Sequence, residues 1–135
     1  MRRYFVLGGA LALFLIDRFA KSWPFDLSKG SHGFFISLGR LENSGGVFSA
    51  PLPRWLLLVG AALALALLTA LAQRAWRTRK LLMLGGASLM LVGGVSNVLD
   101  RLWGVGVVDL FQVGGGLSFN LADVYLLAGL VLLVL

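Results

Sequence analysis

Asp109 and Asp123 are the residues of this sequence whose type and spacing most directly suggest chemistry. Asp109 follows Val107-Val108, and Asp123 closes the run Phe119-Asn120-Leu121-Ala122-Asp123. Between them stand Gly114-Gly115-Gly116, which accept backbone angles that other residues resist, so the chain can double back there. If the two carboxylates meet, their mutual repulsion leaves one of them protonated near neutral pH. Such a pair can activate water with its ionised member and donate a proton to a carbonyl oxygen with the other. The spacing alone equally suits two unrelated acids at a membrane boundary.

Other polar residues recur at telling intervals. Asn120 and Asp123 are three apart and share a face if that segment is helical. Asp17 and Lys21 are four apart, acid first, which is a favourable helical pair. They read either as an ion pair closing a span at the headgroup boundary or as a support that orients an outer loop or substrate. Asn43-Ser44-Gly45-Gly46-Val47-Phe48-Ser49 forms a glycine-rich bend. A plain turn uses the same residue types, but the Asn43 amide can also donate to and accept from a peptide backbone. In Gly93-Gly94-Val95-Ser96-Asn97-Val98-Leu99-Asp100-Arg101, Gly93, Asn97 and Arg101 share a helix face. A small residue there lets a neighbouring helix approach closely. Asp100 and Arg101 suit boundary charges, whereas Asn97 lies nearly a turn inside and is harder to explain that way. His32 reads as a loop residue, and Trp23, Trp55, Trp76 and Trp103 as interfacial anchors.

The elements that must position these residues are set by composition. Of 135 residues, 59% are hydrophobic and 13% charged, with a mean hydropathy of +0.89. A soluble domain is typically about a quarter charged, so the solvent of this chain is mostly lipid. Cysteine is absent and His32 is the one histidine, which excludes disulfides, thiolate chemistry and zinc sites of the HExxH kind. Four segments are long and apolar enough to cross a bilayer: 4–20, 55–72, 81–99 and 117–135. The net charge of +6 is not a nucleic-acid signature, because the cations sit at the ends of apolar runs.

Arg2, Arg3, Arg74, Arg77, Arg79 and Lys80 fall on one side of these spans with no acid among them. Asp17, Asp26, Glu42, Asp100, Asp109 and Asp123 all fall towards the other. The Lys/Arg bias therefore puts both termini and the 73–80 loop in the cytoplasm, and the 22–53 and 100–118 segments outside. Arg2-Arg3 followed by an apolar stretch looks like a signal peptide, but the sequence through Lys21 lacks a small-x-small cleavage site, so span one is expected to be retained. Short apolar runs punctuated by glycine in 22–53 suggest small strands and turns, and Val105 to Val113 reads as a strand or short amphipathic piece. The expected fold is an integral membrane α-helical domain, 1–135, with four transmembrane helices. A small β-rich extracytoplasmic platform lies between spans 1 and 2, and a short loop or hairpin between spans 3 and 4.

Taken together, these segments resemble the lipoprotein signal peptidase (signal peptidase II) family. The resemblance rests on Asp17 and Lys21 at the end of span one and on an Asn-x-Gly-x-x-Phe-Ser box from Asn43 to Ser49. A Gly-x-x-Asn-x-x-Asp-Arg box from Gly94 to Arg101 follows, then Val-Val-Asp ending at Asp109 and Phe-Asn-x-Ala-Asp ending at Asp123. Each box is weak alone, but five in order over nearly the whole chain are specific. The link from Asp109 to Asp123 is short for the family, with glycines in place of a bulkier segment, so the loop covering the site is expected to differ. The sequence also ends at Leu135 without the charged tail many members carry.

The resemblance implies an aspartic endopeptidase of the bacterial cytoplasmic (inner) membrane. It would remove signal peptides from prolipoproteins, cutting before the diacylglyceryl-modified cysteine at the outer face. Asp109 and Asp123 would be catalytic. Asn43, Asn97, Arg101 and Asn120 would hold the substrate backbone or orient the pair, with Asp17 and Lys21 supporting them and Gly45, Phe48, Gly94 and Asp100 structural. No metal or other cofactor is expected. The expected partners are prolipoproteins, membrane lipid and globomycin-type inhibitors, with the chain itself a monomer. An ion-coupled carrier is the rival from another class, but such carriers usually place an acid near the midplane, whereas the acids here gather at one end. An assembly subunit would tolerate loss of either aspartate. A serine/lysine peptidase would need Ser49 and Lys21, whose spacing argues for no pair.

Overall fold

The computed structural model describes residues 1–23, 36–45, 52–104, 106–114 and 116–135. Among these residues are four helices: α1 (Arg2–Ser22), α2 (Arg54–Thr78), α3 (Leu81–Trp103) and α4 (Leu121–Val134). The described residues also include three strands: β1 (Ile36–Asn43), β2 (Val107–Val113) and β3 (Leu117–Phe119). By length and composition, α2 and α3 are each able to cross a membrane. α4 is a shorter apolar helix of 14 residues.

The helices extend past the expected span limits where the sequence allows it. Gln73 to Thr78, expected as loop, continues α2, because Gln, Arg and Ala are good helix formers. The reversal is confined to Arg79, at φ 57°, and Lys80. α3 likewise runs on through Asp100 and Arg101. The start of span four is corrected: Leu117–Phe119 is strand β3, and α4 begins only at Leu121. Leu-Ser-Phe is apolar enough to read as span, but its backbone pairs with β2 in the register Phe111↔Phe119, Gln112↔Ser118, Val113↔Leu117.

The strands form one antiparallel sheet in the order β1-β2-β3. The β-structure after α1 and the hairpin after α3 are thus a single platform, joined by pairs such as Leu41↔Asp109 and Asn43↔Val107. The hairpin turns at Gly114, whose φ of +58° is the left-handed conformation that glycine takes at little cost, and Gly116 N–H closes the turn on the Val113 carbonyl at 3.2 Å.

Contact between α3 and α4 is backbone to backbone. A Cβ on Gly93 would lie 2.5 Å from the Ala122 carbonyl oxygen, and one on Gly129 would lie 2.6 Å from that of Gly86. Gly94 faces the other way, towards Leu65 of α2. At one end of the bundle Arg3 stacks on Trp76 and donates to its carbonyl oxygen at 2.9 Å. At the other end α1, α3, the start of α4 and the sheet converge, and the buried polar residues collect there.

Candidate active site

Asp109 and Asp123 come to one place from different elements. Val107 and Asp109 are two apart on β2, so they share a face of the strand, and both line a cavity of about 560 Å³. Asp123 is the third residue of α4 and lines the same cavity. Asn120 links the two carboxylates. Its side-chain Nδ2 donates to Asp109 Oδ1 at 3.0 Å, and its backbone N–H donates to Asp123 Oδ2 at 3.1 Å. Asp123 N–H returns a bond to Asn120 Oδ1 at 3.0 Å, completing a capping box at the start of α4. Asn120 is itself fully buried, behind the cavity wall.

A second layer comes from α1 and α3. Asn97 Nδ2 donates to Asp123 Oδ1 at 2.8 Å, while Asn97 Oδ1 accepts from Lys21 Nζ at 2.9 Å. Lys21 also pairs with Asp17 at 3.1 Å and Asp100 at 2.8 Å. Arg18 pairs with the other oxygen of Asp100. Among the described residues, two acids and two cations therefore balance. Asp17 and Lys21 are 0% and 2% exposed, which sets aside the reading of an ion pair at the headgroup boundary. Burying charges is tolerable only where they are paired and hydrogen-bonded. Here Asp17 also accepts from Ser96 Oγ at 2.5 Å and Ala122 N–H at 2.9 Å, the latter among the unpaired amides of the α4 N-terminus. Asp100 accepts the Val108 N–H at 3.3 Å, tying α3 to β2.

Asn43 lines the cavity as well, and its Oδ1 accepts Gly45 N–H at 3.0 Å, closing a local turn. Arg101 fixes that turn by donating to the Gly45 carbonyl at 3.2 Å, and it bonds its own helix at Asn97 O at 3.3 Å. Arg101 Nε is buried beside the cavity without a partner among the described residues. Phe48, with Gly46, Val47 and Ser49 of the same box, lies outside the described residues, as does His32.

Sequence reasoning did not single out Ser96, Arg18, Gly106 or Ser118. Ser96 stood inside a recognised box, but nothing marked it as the partner of Asp17. A Cβ on Gly106 would lie 2.3 Å from the Asn43 carbonyl oxygen, so the first turn of the platform needs a glycine there. Ser118 Oγ donates to Asp109 Oδ2 at 2.5 Å. Its signal was the hairpin register, which the sequence does not display.

Below the carboxylates the cavity is walled by apolar or small residues, among them Ala61, Leu65, Leu68 and Leu126. A helical body with polar groups gathered at one end, over an acid-edged apolar cavity, is the form of a membrane enzyme. Two solved bacterial membrane enzyme structures, obtained by the in meso method at 2.3 and 1.9 Å, share it with TM-scores of 0.79 and 0.76. Each is 18% identical, and the matches cover 98% of this chain and 84% and 89% of those chains. A family model described as signal peptidase (SPase) II matches residues 9–135. The lipoprotein signal peptidase of Streptococcus pneumoniae is 32% identical over 108 residues, 75% of this chain and 67% of that protein. The chain belongs to the signal peptidase II family, peptidases of the aspartic type that remove signal peptides from prolipoproteins.

Proposed function

We propose that Asp109 and Asp123 are the catalytic pair of this peptidase, and that it cuts before a diacylglyceryl-modified cysteine at the outer face of the cytoplasmic membrane. The observation that carries this reading is Asn120, which bonds both carboxylates at the edge of one cavity. One carboxylate takes a proton from water as the water oxygen bonds the scissile carbonyl carbon. The other gives its proton to the carbonyl oxygen, and a tetrahedral intermediate results. As that intermediate collapses, the amide nitrogen leaves with a proton and the pair returns to its starting state.

The neighbouring groups have matching roles on this reading. Arg101 Nε offers a buried donor to a substrate carbonyl, since it has no partner among the described residues and a buried N–H left unbonded is costly. Asn43 presents its amide at the cavity beside Arg101. Asn97 and Asn120 orient the pair, Asp17 and Lys21 hold Asn97 and the start of α4, and Asp100 anchors β2. Gly94 and Gly45 serve packing and the Asn43 turn.

The arrangement in the membrane follows from charge. Arg2, Arg3, Arg79 and Lys80 stand at the bundle end opposite the acids, which supports four spans with both termini cytoplasmic and the carboxylates outside. The signal peptide is itself a membrane segment, so its cleavage site meets the pair without leaving the bilayer. The chain is expected to act as a monomer, and globomycin-type cyclic peptides are expected to compete for the cavity.

The test is cleavage of a diacylglyceryl-modified prolipoprotein by purified protein, comparing wild type with Asp109→Asn and Asp123→Asn. Both folded variants are expected to lose cleavage. Undiminished activity in either would remove that aspartate from the mechanism.

A further inference from the structure

Ser118 lies in none of the motifs that carry the family resemblance, yet its hydroxyl reaches the carboxylate pair. It is the middle residue of β3, opposite Gln112 of β2. The stack of Phe119 on Phe111, with ring centroids 5.2 Å apart, fixes the hairpin on which it stands. Ser118 Oγ and Asn120 Nδ2 each take one oxygen of Asp109, so this 2% exposed carboxylate cannot turn without losing both bonds.

We propose that Ser118 is a positioning residue that holds Asp109 as the ionised, water-activating member of the pair and leaves Asp123 to carry the proton. The inference rests on the assignment of the pair made above. The 2.5 Å between Ser118 Oγ and Asp109 Oδ2 lies in the range of hydroxyl-to-carboxylate bonds, which are shorter and stronger than bonds between neutral groups. What sets Asp109 apart is its hydroxyl donor, because Asp123 accepts from nitrogens alone, Asn97 Nδ2 at 2.8 Å and the Asn120 N–H at 3.1 Å. During attack a water O–H bond breaks and its proton passes to Asp109, while the water oxygen bonds the carbonyl carbon. The carbonyl oxygen takes the proton of Asp123. On collapse the C–N bond breaks, the departing nitrogen takes the proton held by Asp109, and the re-forming carbonyl returns a proton to Asp123.

Among the described residues, the charged groups around Asp109 are Asp123 on α4, Asp100 and Arg101 at the end of α3, and Lys21 on α1 behind Asn97. On β1, Arg40 and Glu42 face each other at 3.8 Å and are well exposed. Substitutions at Ser118 leave all of these in place, so a change in the pH profile reports the lost hydroxyl.

The experiment is the pH dependence of kcat and KM for prolipoprotein cleavage by Ser118→Ala, Ser118→Cys and Ser118→Thr, with Asp109→Asn alongside. A donor removed from an ionised carboxylate favours its protonated form, so the acid limb must move to higher pH. The Ala and Cys variants are expected to shift that limb up by about one pH unit and lower kcat on the order of tenfold, with Thr restoring both. KM is expected to stay within about twofold, as for an interaction made after binding. If Ala does not fold, Cys, nearly isosteric with serine, carries the comparison. An acid limb left in place in the folded variants overturns the proposal, whether accompanied by a lower Tm or by a higher KM. If Asp109→Asn cleaves like wild type, the assignment of the pair falls and this inference falls with it. If Asp109→Asn is inactive and the limb is unmoved, only the role of Ser118 is lost.

Discussion

Lys21 Nζ lies 2.9 Å from Asn97 Oδ1, and this contact decides which way the Asn97 amide faces. An ammonium has donors only, so the amide must turn its oxygen to Lys21. Its Nδ2 is then left to donate to Asp123 Oδ1 at 2.8 Å. A charge on the last turn of α1 thereby orients a carboxylate on the first turn of α4.

Lys21→Met should therefore damage both stability and activity. It strands Asp17 and Asp100 in a buried cluster with Arg18 as the remaining cation among the described residues, a loss expected to cost about 3–5 kcal/mol. Thermal unfolding in detergent measures this. Adding Asp17→Asn should recover part of the stability, because the two residues share one network. It should not recover cleavage, since Asn97 still lacks the partner that orients it. Strictly additive losses in the double variant would contradict the coupling.

Asn120 has two separable duties, capping α4 and linking the carboxylates. Asn120→Ser keeps a good N-cap but is too short to repeat the 3.0 Å bond to Asp109. Its Tm is expected to stay near wild type while kcat falls more than about tenfold, the loss expected for a bond to a charged group. Asn120→Ala loses the cap as well and should cost roughly 1 kcal/mol more in stability. Equal activity for the Ser variant and wild type would show that the link is dispensable.

Much of this arrangement was legible in the sequence, and the rest was hidden for physical reasons. Helix identity came from unbroken apolar runs, and the polar residues interrupting those runs were visible as anomalies. The triple glycine announced the hairpin that carries Asp109 back towards Asp123. The pairing of β1 with β2 was not visible, because a register between segments so far apart is set by the packed partner. Leu117–Phe119 read as helix because three apolar-leaning residues have no period of their own. Asp17 and Lys21 read more readily as boundary charges, since their burial depends on Ser96, Asp100 and Ala122 from other elements.

Arg101 acts as a planar fork, with Nη1 on the Asn97 carbonyl, Nη2 on the Gly45 carbonyl and Nε beside the cavity without a partner among the described residues. A lysine supplies one flexible point charge and cannot meet all three directions. Arg101→Lys is expected to fold, since the charge is kept, but to release the Asn43 turn. KM for prolipoprotein should rise and kcat/KM should fall on the order of tenfold or more, about 1.4 kcal/mol or above. Steady-state kinetics with the lipid-modified substrate decide it, and wild-type kinetics in Arg101→Lys would confine the residue to a structural role.

The distance between helices is as much a part of the site as the carboxylates. Asp123 rides on α4, and α4 sits against α3 where Gly86, Gly93 and Gly129 let backbone meet backbone. A Cβ at Gly129 would stand 2.6 Å from the Gly86 carbonyl oxygen and 2.6 Å from Met90 Cγ. The methionine can swing away, but the carbonyl belongs to a helix and cannot, so Gly129→Ala must push α4 outwards. That overpacking is expected to cost about 1–3 kcal/mol and to lower kcat, because the cap that joins Asn120 to Asp123 moves with the helix while Asp109 stays on the sheet. Gly9→Ala provides the contrast, since nothing lies within 4 Å of a Cβ there. It should leave cleavage unchanged, with a small gain in stability because alanine favours a helix over glycine by about 1 kcal/mol. Parallel Tm and cleavage measurements on the two variants separate a general intolerance of glycine replacement from a requirement for close approach at this crossing. Equal effects of the two substitutions would mean that helix spacing does not set the geometry of the pair.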